Sequence, residues 1–251
     1  MQAVTPLLKQ QLLRPYLAAL LLLFSASTAH SASWTYDEDE TGQEDWQSLS
    51  PAYLSCYDGQ QQSPIQIGAT THKAMPALSP QLGVVKAQWA MVDHTLELKP
   101  KTVHRLRNNG VDYQLESIRF HYPSEHMIGE KFWMVEMRYY YRAKTGERLA
   151  IATFGDMGED NPALSAVFDQ VSEKNNADFS FDLKDLMPNT DAYYAYRGSM
   201  TYPPCTEGVE WRVLKQPFIL SRDQKERLFT LIGRNTRLPQ PVYFRTVYET
   251  P

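Results

Sequence analysis

Ser117-Ile118-Arg119-Phe120-His121-Tyr122-Pro123-Ser124-Glu125-His126, continuing through Ile128-Gly129-Glu130-Lys131 to Phe132-Trp133-Met134-Val135-Glu136-Met137-Arg138-Tyr139-Tyr140-Tyr141-Arg142, is the stretch that decides the fold. Side chains alternate across a strand, so Ser117, Arg119 and His121 share one face and Ile118 and Phe120 the other. Over 132–141 the same parity groups Met134, Glu136, Arg138 and Tyr140 against Trp133, Val135, Met137 and Tyr139. The turn signal at Ile128–Lys131 predicts that the two segments pair antiparallel. Two polar rows, each backed by an apolar one, then meet on one surface.

Phe120-His121-Tyr122-Pro123-Ser124-Glu125-His126, followed by Glu136-Met137-Arg138, resembles the core of the alpha-class carbonic anhydrases. The resemblance implies a mainly β (α+β) fold: a large central antiparallel or mixed twisted sheet with short peripheral helices. It also implies a zinc ion on three histidines, two from His-x-His and one from Glu-x-His, with a water at the fourth position whose pKa the metal lowers to about 7. Here the first pair reads Arg119-Phe120-His121 and the second motif reads Glu136-Met137-Arg138. A guanidinium carries no lone pair at ordinary pH and cannot ligate zinc. His121 alone remains of the ligand set, so the expectation is no zinc, no other cofactor and no hydration activity.

Other family blocks surround this one. Gln62-Ser63-Pro64-Ile65 is the Gln-Ser-Pro-Ile signature, and its first two residues are read as structural. Gly198-Ser199-Met200-Thr201-Tyr202-Pro203-Pro204-Cys205 through Trp211 matches the block whose threonine, Thr201, is oriented by Glu125 in active members; these two family catalytic positions are retained. Tyr202 and Tyr140 are bulky where the family has small residues, and Ile151 is read as a milder enlargement of the same wall. Asn108-Asn109-Gly110 resembles the family's Asn-Asn-Gly-His, which would put Val111 at a proton-shuttle position that it cannot serve. Trp34, Tyr36 and Trp46 match the aromatic N-terminal segment, and Asn235 to Arg245 the C-terminal pattern.

The chain has 251 residues, 43% of them hydrophobic, and a formal charge of −4. Such a length supports one large core, and nothing in it suggests a linker or repeat. Residues 1–32 read as a cleaved export signal, with Lys9, Arg14 and the run from Leu17 to Phe24; residues 33–251 read as one carbonic-anhydrase-like domain. The apolar run is too short for a stable membrane span. Loss of Lys9 and Arg14 takes the charge to −6, which excludes non-specific nucleic-acid binding. A periplasmic or secreted location follows, and in that setting Cys56 and Cys205 are expected to pair, as the resemblance also implies.

Three functional readings stay open on these residues. In the first, a non-enzymatic protein binds a small anion, or a protein or glycan partner, through a cone lined by Arg119, His121, Glu136, Arg138, Tyr140 and Tyr202. The anion variant of this reading expects positive charge left over at the base of a narrow pocket. In the second, the protein is an active carbonic anhydrase with an atypical metal site, needing nitrogen ligands from elsewhere. The third is a surface adhesion or partner-binding module. A plainer possibility stands beside them, that the arginines only fill the cone by pairing with Glu136 and Glu125.

Overall fold

Asp93 and His94 reverse the chain between the first two long strands, and both take positive φ, 48° and 61°. A two-residue turn of that hand matches the twist of the strands that it joins. The strands are β1 (Val84–Val92) and β2 (Thr95–Pro100), paired from Val92↔Thr95 outward. A computed structural model describes residues 33–172 and 177–251. The export-signal reading of residues 1–32 therefore lies outside the described residues.

The meander continues through β3 (Arg105–Asn108) and β4 (Val111–His121), turning at Asn109 and Gly110, again both at positive φ. The segments on either side of Glu116 are continuous. They are one strand of 11 residues with a register shift between Leu115 and Ser117. Glu116 is the extra residue, and it reverses the facing pattern: Tyr113 and Leu115 lie on the same apolar side as Ile118 and Phe120. β5 (Val135–Ala143) pairs antiparallel with β4, as the turn signal predicts, although it starts three residues later than expected. Ser124 Oγ accepts from the Trp133 amide and holds the chain ahead of it.

β6 (Arg148–Met157) is antiparallel to β5 and parallel to β9 (Glu207–Leu214); β9 in turn pairs antiparallel with β8 (Tyr193–Ser199). β7 (Phe179–Asp182) closes the other side on β1, and β10 (Phe218–Leu220) runs parallel to β6. With shorter pairings the described residues form a mixed sheet of 13 strands. The mainly β reading with peripheral helices is correct.

Helix α1 (Pro162–Ser172) lays Leu164, Val167, Phe168 and Val171 into the larger core beneath the sheet. Helix α2 (Arg222–Ile232) opens on a reciprocal cap between Ser221 and Gln224, a device that contributes about 1 kcal/mol. A second apolar cluster, with Tyr140, Ala150, Ala152, Tyr196 and Trp211, covers the opposite sheet face. A third joins Trp34, Trp46, Tyr53 and the Cys56–Cys205 disulfide, which forms as expected. No helix among the described residues is long and apolar enough to cross a membrane.

Candidate functional site

The two polar rows meet as their parity dictates: Arg119 stands opposite Arg138 and His121 opposite Glu136 across the β4–β5 ladder. Arg138 is the centre of what they build. Its side chain is 0% exposed; Nε donates to Glu136 Oε1 at 2.7 Å, and Nη1 bonds Thr201 Oγ1 and contacts Glu125 Oε2. Its face lies over the Trp211 ring at 5.1 Å. Burial opposes the charge, but Glu125 and Glu136 overcome it and hold the guanidinium well above its ordinary range.

Glu136 is fixed from several sides. Oε2 accepts the amides of Glu125 and His126, and Oε1 accepts His126 Nδ1–H at 2.8 Å. Against the effect of burial, Arg138 and then His126 keep this carboxyl well below the usual range. His126 Nε2 then accepts from Tyr196 Oη at 2.6 Å, and Tyr196 Oη meets Ser63 Oγ at 2.9 Å. Glu125 takes the Arg237 amide at 2.6 Å, and its carboxyl is pushed up by burial despite Arg138. His121 donates Nδ1–H to the Asn235 carbonyl at 2.9 Å, which leaves the Nε2 lone pair buried with no hydrogen-bond partner. Burial and Arg138 press this imidazole well below its ordinary value, so it is neutral.

Arg119 has different partners from those expected. Nε donates to Glu97 at 2.7 Å and Nη1 to Asp93 at 3.2 Å, both from the β1–β2 hairpin, and not to Glu125 or Glu136. Tyr202 lies 4.6 Å from its guanidinium and Tyr140 6.0 Å, so both phenol rings pack over it. This pairing corrects the expectation of leftover positive charge. Asp93, Glu97, Glu125 and Glu136 face Arg119, Arg138 and the buried Arg237, which donates to Gln62, the Ser63 carbonyl and the Cys56 carbonyl. Nor is there an open cone at these residues: His121, Glu125, Glu136, Arg138 and Thr201 are all fully enclosed.

Two further expectations change. Val111 packs against the larger core, on the sheet face away from Arg119 and His121, so it is not a position beside the reaction centre. Ile151 pairs with Tyr139 and belongs to that same core; the residues of β6 that face the site are Ala150 and Ala152. Gln62 and Ser63 are structural as read, tied to Cys205, Ser199 and Tyr196. The pairing of Glu97 and Asp93 with Arg119 was missed. Its only trace in the sequence is that two acids bracket a turn 22 and 26 residues before the arginine.

A family model described as eukaryotic-type carbonic anhydrase matches residues 41–250. The chain belongs to the carbonic anhydrase family. A carbonic anhydrase of Neisseria gonorrhoeae is 32% identical over 252 residues, covering 94% of this chain and 97% of that relative. The solved alpha-carbonic anhydrase of Thermovibrio ammonificans, in complex with the inhibitor sulfanilamide, superposes with a TM-score of 0.81 at 30% identity, covering 87% of this chain and 100% of that one. Dioscorin dioA3 of Dioscorea japonica is 31% identical over 91% of this chain and 93% of its own length. A dioscorin solved in complex with ascorbate superposes at a TM-score of 0.80 with 29% identity, covering 86% of this carbonic-anhydrase-like chain and 97% of that one.

The donor set of this chain does not suit the family's zinc. His121 Nε2 offers one lone pair, whereas the residues in line with it across the ladder supply guanidinium N–H groups and carboxylates already bonded to them. Among the described residues no group of three or more His, Cys, Asp or Glu is placed to hold a metal ion.

Proposed function

We propose that this protein is an exported, zinc-free member of the carbonic anhydrase family that does not hydrate carbon dioxide, its former reaction centre filled by a buried arginine cluster. The observation that carries this reading is the Arg138 guanidinium, enclosed between Glu125, Glu136 and Thr201. Of the two retained family positions, Thr201 accepts from that cation, and Glu125 contacts it while also accepting the Arg237 amide, so neither is left free to orient a nucleophile. Tyr140 and Tyr202 pack over the neighbouring Arg119 guanidinium. Export is supported by the Cys56–Cys205 disulfide, since such bonds persist in oxidising compartments.

A role in binding is the second part of the proposal. The likeness to dioscorin, solved with ascorbate, supports the idea that this fold serves as a binding scaffold. In this chain the charge balance and burial at the arginines favour a structural plug there, so a ligand or partner would be met elsewhere on the surface. Elemental analysis of the purified mature protein, beside a carbon dioxide hydration assay, tests the reading. The expected result is less than a tenth of an equivalent of zinc and hydration at the uncatalysed rate. One equivalent of zinc with sulfonamide-sensitive hydration overturns it and restores the atypical active enzyme.

A further inference from the structure

On the sheet face away from the plug, β8 and β9 place Arg197 beside Glu210 and Ala195 beside Arg212. These residues line a cavity of about 440 Å³, within the range that takes a small molecule. Lys73, Arg245 and Tyr248 complete the part of the wall that matters here. Four cations thus meet one carboxylate, in a protein whose overall charge is −4.

Arg212 is the buried member. Its side chain is 6% exposed and it reaches Glu210 at only 3.5 Å. Nη1 donates to the Trp211 carbonyl at 2.8 Å, and the buried Nε–H has no partner. A desolvated guanidinium with one distant carboxylate is incompletely compensated, and such a charge costs stability unless something completes its pairing. Arg245 is fixed without being neutralised: Nη1 donates to the carbonyls of Gln62 at 2.8 Å and Arg197 at 3.1 Å, and Nη2 to that of Pro241 at 2.6 Å. Lys73 is held over the Tyr248 ring at 4.5 Å. Among the described residues, no carboxylate lies within ion-pair distance of Lys73, Arg197 or Arg245.

We propose that this pocket binds a small multivalent anion bearing phosphate or carboxylate groups. A single negative charge would not offset the surplus, whereas guanidinium groups grip phosphate and carboxylate oxygens through paired hydrogen bonds. The site is separate from the arginine plug and does not depend on whether the plug holds a metal.

Calorimetric titration of the full mature protein at fixed ionic strength, with pyrophosphate and citrate as probes, tests the proposal. The expected result is saturable binding of at least one probe at one site per chain, with the preference between them naming the phosphate or the carboxylate source. Lys73 and Arg197 are exposed, so Lys73→Ala and Arg197→Ala should fold normally, and each should weaken binding at least tenfold; Glu210→Gln should tighten it. Arg222→Ala, at an exposed position that opens helix α2, should leave it unchanged. Absence of binding by both probes, binding untouched in both pocket variants, or equal weakening by Arg222→Ala overturns the assignment.

Discussion

Arg119 and Arg138 stand directly opposite each other on neighbouring antiparallel strands, and each is bonded to a different pair of carboxylates. Two like charges in that register would repel if they shared one counter-ion. Dividing four acids between them removes the conflict: Arg138 is enclosed with Glu125 and Glu136, whereas Arg119 is held by Glu97 and by the exposed Asp93.

Arg138→Met should therefore destabilise the fold by about 3–5 kcal/mol, because Glu125 and Glu136 would be left buried without their cation. Adding Glu125→Gln should recover part of the loss, since one of the stranded charges is then gone. Urea denaturation of the wild type and both variants measures this. Equal stability of wild type and Arg138→Met would mean that water already enters the cluster.

Arg119→His with Arg138→His should recover zinc binding, because two imidazoles would join the unpartnered His121 Nε2. Hydration should stay low in that variant, as Tyr140 and Tyr202 still fill the space beside the site. Elemental analysis alongside a hydration assay reads both effects. A double variant that remains metal-free would show that the strand positions no longer converge.

The pairing of β4 with β5 and the facing of Arg119, His121, Glu136 and Arg138 were legible because strand alternation over a few residues fixes them. What lay beyond was non-local or broken by a local irregularity. Glu97 and Asp93 reach Arg119 through a strand pairing that no spacing in the sequence announces. Val111 was misassigned because Asn-Asn-Gly is first a turn sequence, and because the bulge at Glu116 flips everything before it to the other sheet face. Ile151 was misplaced for a related reason: the pairing partner of Tyr140 is Ala150, one residue away.

The disulfide closes a span of 149 residues and should stabilise the fold by up to roughly 5 kcal/mol. It also secures the loop of Thr201 and Tyr202, where the Cys205 amide donates to the Tyr202 carbonyl at 2.8 Å. Cys56→Ser with Cys205→Ser should lower the denaturation midpoint, and reductant should lower the wild type to the same value. A midpoint insensitive to both would limit the bond to a local tie.

Acid should weaken the fold through His121 before it reaches most carboxylates. The imidazole is held well below its ordinary 6.5 in the folded state by burial and Arg138. The unfolded chain therefore binds the extra proton first, and stability is lost as pH falls below about 6.5. Glu136, also depressed, adds the same sign below its ordinary 4.5. Glu125 opposes them: its raised carboxyl takes up a proton in the folded state before the unfolded chain does, so it contributes stability as pH falls toward 4.5. His121→Gln should accordingly flatten the decline between about pH 6.5 and 5, whereas Glu125→Gln should make it steeper. Urea midpoints collected across pH 4 to 8 for wild type and the two variants decide the matter, and an unchanged slope in His121→Gln would assign the acid limb to other groups.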